Sequence, residues 1–285
     1  MVSAADVKAL RDKTGAGMAD CKKALEEANG DMEQAIDVLR KRGAATAAKR
    51  SDKAANEGIV VTRRSDDGKT AAMVEVNCET DFVARNAEFT AFADAIANGV
   101  LESDPKSEDE LWALPFENRT LAEYRDEILA KFSERIGVNR FERVTTSGHI
   151  TEYIHAGSRL GVLVELDGTK PSEDAMPLVR DLAMQVAAMQ PAFVSREEVD
   201  DQTLAKEREI YKQQAIEEGK KEDIAERIAE GKLGKYYEEN VLVEQTFVKD
   251  PKRKVSDIVT EISKKSGGDV KVVRFHRFNL GETTN

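Results

Sequence analysis

Gly58-Ile59-Val60-Val61, Ser65-Asp66-Asp67-Gly68 and Ala72-Met73-Val74-Glu75-Val76 follow one another as an apolar run, a polar break and a second apolar run. Such a pattern predicts two strands joined by an Asp-Gly turn, because Gly and Asp tolerate the backbone angles a tight reversal needs. From about Asn86 the spacing changes to that of a helix, with Phe89, Phe92, Ala93 and Ile96 on one face. The same arrangement returns 90 residues later without a gap: Gly58 corresponds to Gly148, Val74-Glu75-Val76 to Val164-Glu165-Leu166, and Phe92-Ala93 to Leu182-Ala183. An ungapped register of this kind indicates internal duplication. Both copies also end in a helix and a last strand, Asn139-Arg140-Phe141-Glu142-Arg143-Val144 in the first and Val273-Arg274-Phe275-His276-Arg277-Phe278 in the second. The expected fold class is therefore α+β, with a duplicated core of residues 58–147 and 148–285 in which two strands, helices and a final strand share one interior.

The second copy is the longer because residues from about 195 to 240 intervene. They are densely charged, with sparse apolar positions at Leu204, Tyr211, Ala215, Ile224 and Ile228 and a break at Gly219, which predicts two antiparallel helices forming a coiled-coil-like arm. Before the core, residues 1–42 read as a module of three short helices. Val7 and Leu10 mark the first helix; Met18, Cys21, Leu25 and Ala28 the second; Met32, Ala35, Ile36 and Leu39 the third. Thr14-Gly15-Ala16-Gly17 and Asn29-Gly30-Asp31 separate them, Gly accepting positive φ and Asp capping the next helix. Residues 43–57, rich in Ala, Lys and Arg with no apolar face, read as a linker that is mobile or marginally helical.

Composition removes several classes of function. With 54 acidic and 43 basic residues the net charge is -11, which disfavours a phosphate-neutralising surface and so a nucleic acid as primary partner. No run approaches the roughly 18 apolar residues of a membrane span, and the first residues lack the basic and apolar regions of a signal peptide, so a cytoplasmic protein is expected. Cys21 and Cys78 lie far apart without metal-ligand spacing; both read as buried small hydrophobes, and neither a metal site nor a disulfide framework is expected. The histidines 149, 155 and 276 have no nucleophile elbow near them, and no phosphate-binding Gly-x-x-x-x-Gly-Lys loop occurs. Gly15-Ala16-Gly17-Met18-Ala19-Asp20 is not a dinucleotide fingerprint, since no strand precedes it and Asp20 stands at the third glycine position. No catalytic constellation and no cofactor are expected.

One segment stands out, Asn77-Cys78-Glu79-Thr80-Asp81-Phe82-Val83, at a strand-to-helix turn. Thr80 is suited to cap the following turn, and Asp81 to the positive end of the helix dipole. On pattern alone Phe82 is read sooner as a core staple than as a binding wedge, although an exposed Phe beside an acid would make a good anchor.

The run Leu10-Arg11-Asp12-Lys13-Thr14-Gly15-Ala16-Gly17-Met18-Ala19-Asp20-Cys21-Lys22-Lys23-Ala24-Leu25, followed by Asn29-Gly30-Asp31, resembles the N-terminal domain of the bacterial translation elongation factor Ts family. Val74-Glu75-Val76-Asn77-Cys78-Glu79-Thr80-Asp81-Phe82-Val83-Ala84 resembles that family's signature, and His155 to Val164, Gly231-Lys232 and Gln245-Thr246-Phe247-Val248 follow in the family's order. The resemblance covers nearly the whole chain. It implies a guanine nucleotide exchange factor for elongation factor Tu, bound in the GDP and nucleotide-free states and hydrolysing nothing. It also reverses the order for Phe82, which becomes the wedge between helices of the partner's GTPase domain. Thr80, Asp81, Phe82 and Val83 are then the residues that bind the partner and dislodge its Mg²⁺. Arg11, Met18 and Lys22, Ile136 and Gly137, and His155 match further partner-facing positions. Some members continue into a C-terminal helical module after the last strand, whereas this chain stops at Asn285, so exchange is expected to depend the more on Phe82 and the N-terminal helices. The three-helix module also resembles ubiquitin-associated domains, which leaves a rival reading as an adaptor that binds without changing nucleotide release.

Overall fold

The computed structural model describes residues 2–49 and 53–282. Three helices open the chain: α1 (Ala4–Thr14), α2 (Met18–Glu27) and α3 (Met32–Lys49). Ser3 and Asp6 form a reciprocal capping box at the start of α1, and Gly15, at φ 69°, ends it by returning its N–H to Arg11 O. Asp31 caps α3 by accepting from Gln34 N–H at 2.9 Å. Val7, Leu10, Cys21, Ala24, Leu25, Ala28, Ala35 and Leu39 close a small core. Met18 does not join them. As the first residue of α2 it lies beyond the packed turn, and Ala16, 1% exposed, occupies the core instead. α3 runs on to Lys49, into the first part of the stretch read as a linker, where Gly43 is a packing residue: a Cβ there would lie 2.7 Å from Ala130 N. Arg50, in the basic part of that stretch, lies outside the described residues.

The first core copy begins with β1 (Glu57–Arg64) and β2 (Thr70–Cys78), paired antiparallel from Glu57↔Cys78 to Arg64↔Ala71. There follow α4 (Asp81–Ala84), α5 (Ala87–Ser103), α6 (Glu108–Ala113), the short hairpin β3 (Pro115–Phe116) and β4 (Arg119–Thr120), α7 (Leu121–Phe132) and β5 (Gly137–Thr145). The strand order is β1-β2-β5. Phe89, Phe92 and Ile96 of α5 and Ile128 and Leu129 of α7 pack with Ile59, Val61, Val74 and Val76 in one core.

In the second copy, β6 (His149–Ile154) and β7 (Leu160–Gly168) lead to α8 (Met176–Met189), then to the paired helices α9 (Asp201–Glu217) and α10 (Glu222–Asn240). A hairpin of β8 (Thr246–Phe247) and β9 (Asp250–Lys254), α11 (Val255–Ser266) and β10 (Val270–Asn279) complete it. The order β10-β7-β6 repeats the first sheet, with the second strand again central. The glycines matched in sequence share a cause: a Cβ would meet Val76 O at 2.2 Å from Gly58 and Leu166 O at 2.0 Å from Gly148. Their acidic counterparts are both buried, Glu75 against Arg140 Nε at 2.8 Å and Glu165 against His276 Nε2 at 2.8 Å. Each copy also carries a two-stranded hairpin before its last helix, a feature too short to read from periodicity.

Two details differ from expectation. The α9–α10 contact is built on Ala215, Ala225, Ala229 and Leu233, while Ile224 is exposed. Small side chains spaced by four let helix backbones approach, so the alanines, not the isoleucines, mark the packed stripe. The chain also divides into two compact units at Thr145/Thr146, but Ala156–Gly161 and the segment from Phe278 belong to the first. The Arg140 guanidinium lies 4.2 Å from the Phe278 ring centroid and donates to Asn279 O at 2.9 Å, while Gly281 N–H donates to Glu75 Oε1 at 3.2 Å. These contacts explain why the segment from Phe278 to Glu282 leaves the second unit.

Candidate docking site

At the end of β2 the chain must leave a sheet and enter a helix of only four residues, α4. Thr80 begins that helix, its Oγ1 accepting from Val83 N–H at 3.4 Å. The turn is then clasped by residues from beyond α7. Glu134 Oε2 accepts from the N–H groups of Glu79 and Thr80, each at 3.1 Å, and its Oε1 accepts from Thr80 Oγ1 at 2.7 Å. Glu79 Oε1 in return accepts from Arg135 N–H at 2.7 Å. The two carboxylates thus satisfy backbone amides on opposite sides, Glu134 those of Glu79 and Thr80 and Glu79 that of Arg135, which a turn without ladder partners requires.

On this braced turn the side chains diverge. Val83 is buried in the first core, and Thr80 is occupied as the cap. Asp81 pairs with Arg85 at 3.1 Å on the surface. Phe82 is 84% exposed, the highest value for a large apolar side chain among the described residues. The staple that the pattern favoured does not form, because the helical turn rotates Phe82 outward as it turns Val83 in. Behind the turn, Cys78 donates its thiol hydrogen to Thr80 O at 3.1 Å. Burial, reinforced by the Glu134 charge, pushes that thiol's pKa up to about 12, so it is a protonated packing group.

Ile136 and Gly137 join this region: Gly137 pairs with Asn77 in the sheet, next to the clasp. Ile136 is buried, whereas a Cβ at Gly137 would meet nothing within 4 Å. Met18, 45% exposed, and Lys22 lie four residues apart on one face of α2, and Arg11 is exposed on α1. His155 belongs to the second unit, where it is exposed with its Nδ1 2.9 Å from Tyr153 Oη. Sequence reasoning placed Glu79 in the segment without giving it a role and did not single out Glu134 or Arg135. They are common surface residue types, and Glu134 stands 54 positions from Thr80, so nothing local signals the bond. Among the described residues no group of three or more His, Cys, Asp or Glu is placed to hold a metal ion, and no helix is long and apolar enough to cross a membrane.

The fold is thus a three-helix module followed by a duplicated α+β core, with the exposed Phe82 on the turn between β2 and α4. The family model described as "Elongation factor TS" matches residues 79–282. Elongation factor Ts of Chlorobaculum tepidum is 48% identical over 285 residues, spanning 98% of this chain and 99% of the relative. That of Clostridium kluyveri is 48% identical over 286 residues, 99% of this chain and 94% of its own length, and that of Chloroherpeton thalassium 44% identical, 99% of both. The chain belongs to the elongation factor Ts family of translation elongation factors.

Proposed function

We propose that the protein is a guanine nucleotide exchange factor for elongation factor Tu, docking on its GDP-bound and nucleotide-free forms through Thr80–Val83. The observation that carries this reading is an apolar side chain held in solvent on a turn whose backbone is hydrogen-bonded to Glu134. Phe82 is 84% exposed while the amides of Glu79 and Thr80, just before it in the chain, are held by Glu134. Leaving Phe in water forgoes about 1.5 to 3 kcal/mol of burial, which a partner recovers on docking.

In this reading Phe82 inserts between helices of the GTPase domain, and Asp81 brings a carboxylate toward the switch region. There the Mg²⁺ that bridges protein and phosphates loses its geometry, and GDP is held less tightly. Val83 and Thr80 serve by shaping the turn. Arg11, Met18 and Lys22, Ile136 and Gly137, and His155 are subsidiary contacts. Linkage makes the cycle reversible: a factor that lowers nucleotide affinity is itself displaced, by the same ratio, when GTP enters. No bond is made or broken in this chain.

The test follows release of a fluorescent GDP analogue from elongation factor Tu with and without this protein. Acceleration that Phe82→Ala and Asp81→Ala both reduce supports the reading; no acceleration by the unaltered protein refutes it. The adaptor alternative predicts a complex that forms through the N-terminal helices with the release rate unchanged.

A further inference from the structure

We infer that Glu134 is the positioning residue of the Thr80–Val83 tip, holding it in its docking shape before any partner arrives; this rests on the exchange reading above. Three donors converge on one carboxylate: two backbone amides at 3.1 Å and the Thr80 hydroxyl at 2.7 Å. The hydroxyl bond has a further effect. By giving its hydrogen to Glu134, Thr80 Oγ1 keeps its lone pairs free for the Val83 N–H, so Glu134 sets the polarity of the cap that starts α4. A four-residue helix has too few internal bonds to maintain itself. Arg135 N–H, bonded to Glu79 Oε1 at 2.7 Å, closes the same loop from the other side.

The second copy offers an internal comparison. Its counterpart turn, Lys170-Pro171-Ser172-Glu173, is likewise tied to the end of its last helix. Ser172 N–H donates to Ser266 Oγ at 3.2 Å, and Ser172 Oγ lies 2.5 Å from Asp174 Oδ1 and 3.1 Å from Lys265 O. There a hydroxyl and a carbonyl tie the turn to the helix, the Asp174 carboxylate bonds the Ser172 hydroxyl within the turn itself, and Ser172 stands where the first copy has Phe82. A carboxylate from beyond the last helix that accepts the turn's backbone amides is found on the copy that bears Phe82. A tip that samples other shapes would bind in proportion to the population of the competent one. Glu134 therefore acts on affinity for the partner and not on the release step after docking.

Glu134→Ala is expected to raise the KM for elongation factor Tu on the order of tenfold with kcat unchanged. Amide hydrogen exchange at Glu79 and Thr80 should accelerate by a similar factor in the free protein. Glu134→Gln retains one oxygen for the two amides but puts a donor where Thr80 Oγ1 gives its hydrogen, so it should restore amide protection more fully than KM. In Phe82→Ala the effect of Glu134→Ala on KM should vanish, since the tip it positions has lost its anchor. Unchanged protection at the two amides, or losses in KM that simply multiply in the double variant, overturns the inference. If the unaltered protein does not accelerate GDP release, the exchange reading fails. The positioning inference is then decided by hydrogen exchange alone, supported by deprotection in Glu134→Ala and overturned by its absence.

Discussion

Phe82→Ala separates docking from folding. The side chain is 84% exposed in the free protein, so truncating it removes almost no native packing, and stability should stay within about 0.5 kcal/mol of the parent. Binding is another matter. Full burial of a Phe side chain contributes about 1.5 to 3 kcal/mol. Scaling by the exposed fraction leaves about 1.3 to 2.5 kcal/mol to be gained only in the complex, which corresponds to about 10- to 70-fold in kcat/KM for GDP release. The assay is stopped-flow release of the fluorescent nucleotide at varied factor concentration, with urea unfolding of each variant alongside. Phe89→Ala is the contrasting substitution: Phe89 is fully buried in the first core, and its loss should cost about 3 to 5 kcal/mol of stability. Unchanged kcat/KM in Phe82→Ala, or a loss of stability on the scale of Phe89→Ala, refutes the reasoning.

Asp81→Ala should lower the maximal release rate by about tenfold, the loss of one charge-assisted contact of about 1.5 kcal/mol, with urea stability preserved because the Arg85 pair is exposed. Gly58→Ala and Gly148→Ala should each lower stability by at least about 1 to 3 kcal/mol in urea titrations, since their Cβ atoms would fall 2.2 and 2.0 Å from carbonyl oxygens. Gly137→Ala, where the space is open, should leave stability unchanged. The Cys78 thiol, raised from 9.0 to about 12, should resist alkylation at neutral pH. Because the folded state keeps that proton when the unfolded chain has lost it, its contribution is full below pH 9 and declines as pH rises toward 12. Urea midpoints across that range should therefore fall more steeply for the parent than for Cys78→Ala.

What could be read locally was read well where a periodic pattern covers a whole element. The β1–β2 hairpin, the start of α5 at Asn86 and the helices of the N-terminal module follow from spacing, because one buried face repeats every two residues in a strand and every three to four in a helix. Alanine defeats that logic: the seam of α9 and α10 is made of small residues that carry little apolar signal, and Gly43 reads as linker although it is a close helix contact. Met18 fails for another reason, since an apolar residue at the first position of a helix extends past the face that the others share.

The sequence by itself determined the duplication and the α+β class, and it marked Thr80–Val83 as unusual, all of which depend on residue order and local spacing. Only the tertiary structure decided which way Phe82 faces. Its neighbour Val83 goes into the core, and the turn is held by Glu134, which is distant in the chain and adjacent in space. Chain folding also assigned the residues from Phe278 onward to the first unit, through Arg140 and Glu75. Hydrogen bonds and ring contacts between remote segments form only after the backbone has been brought together, so no local pattern encodes them.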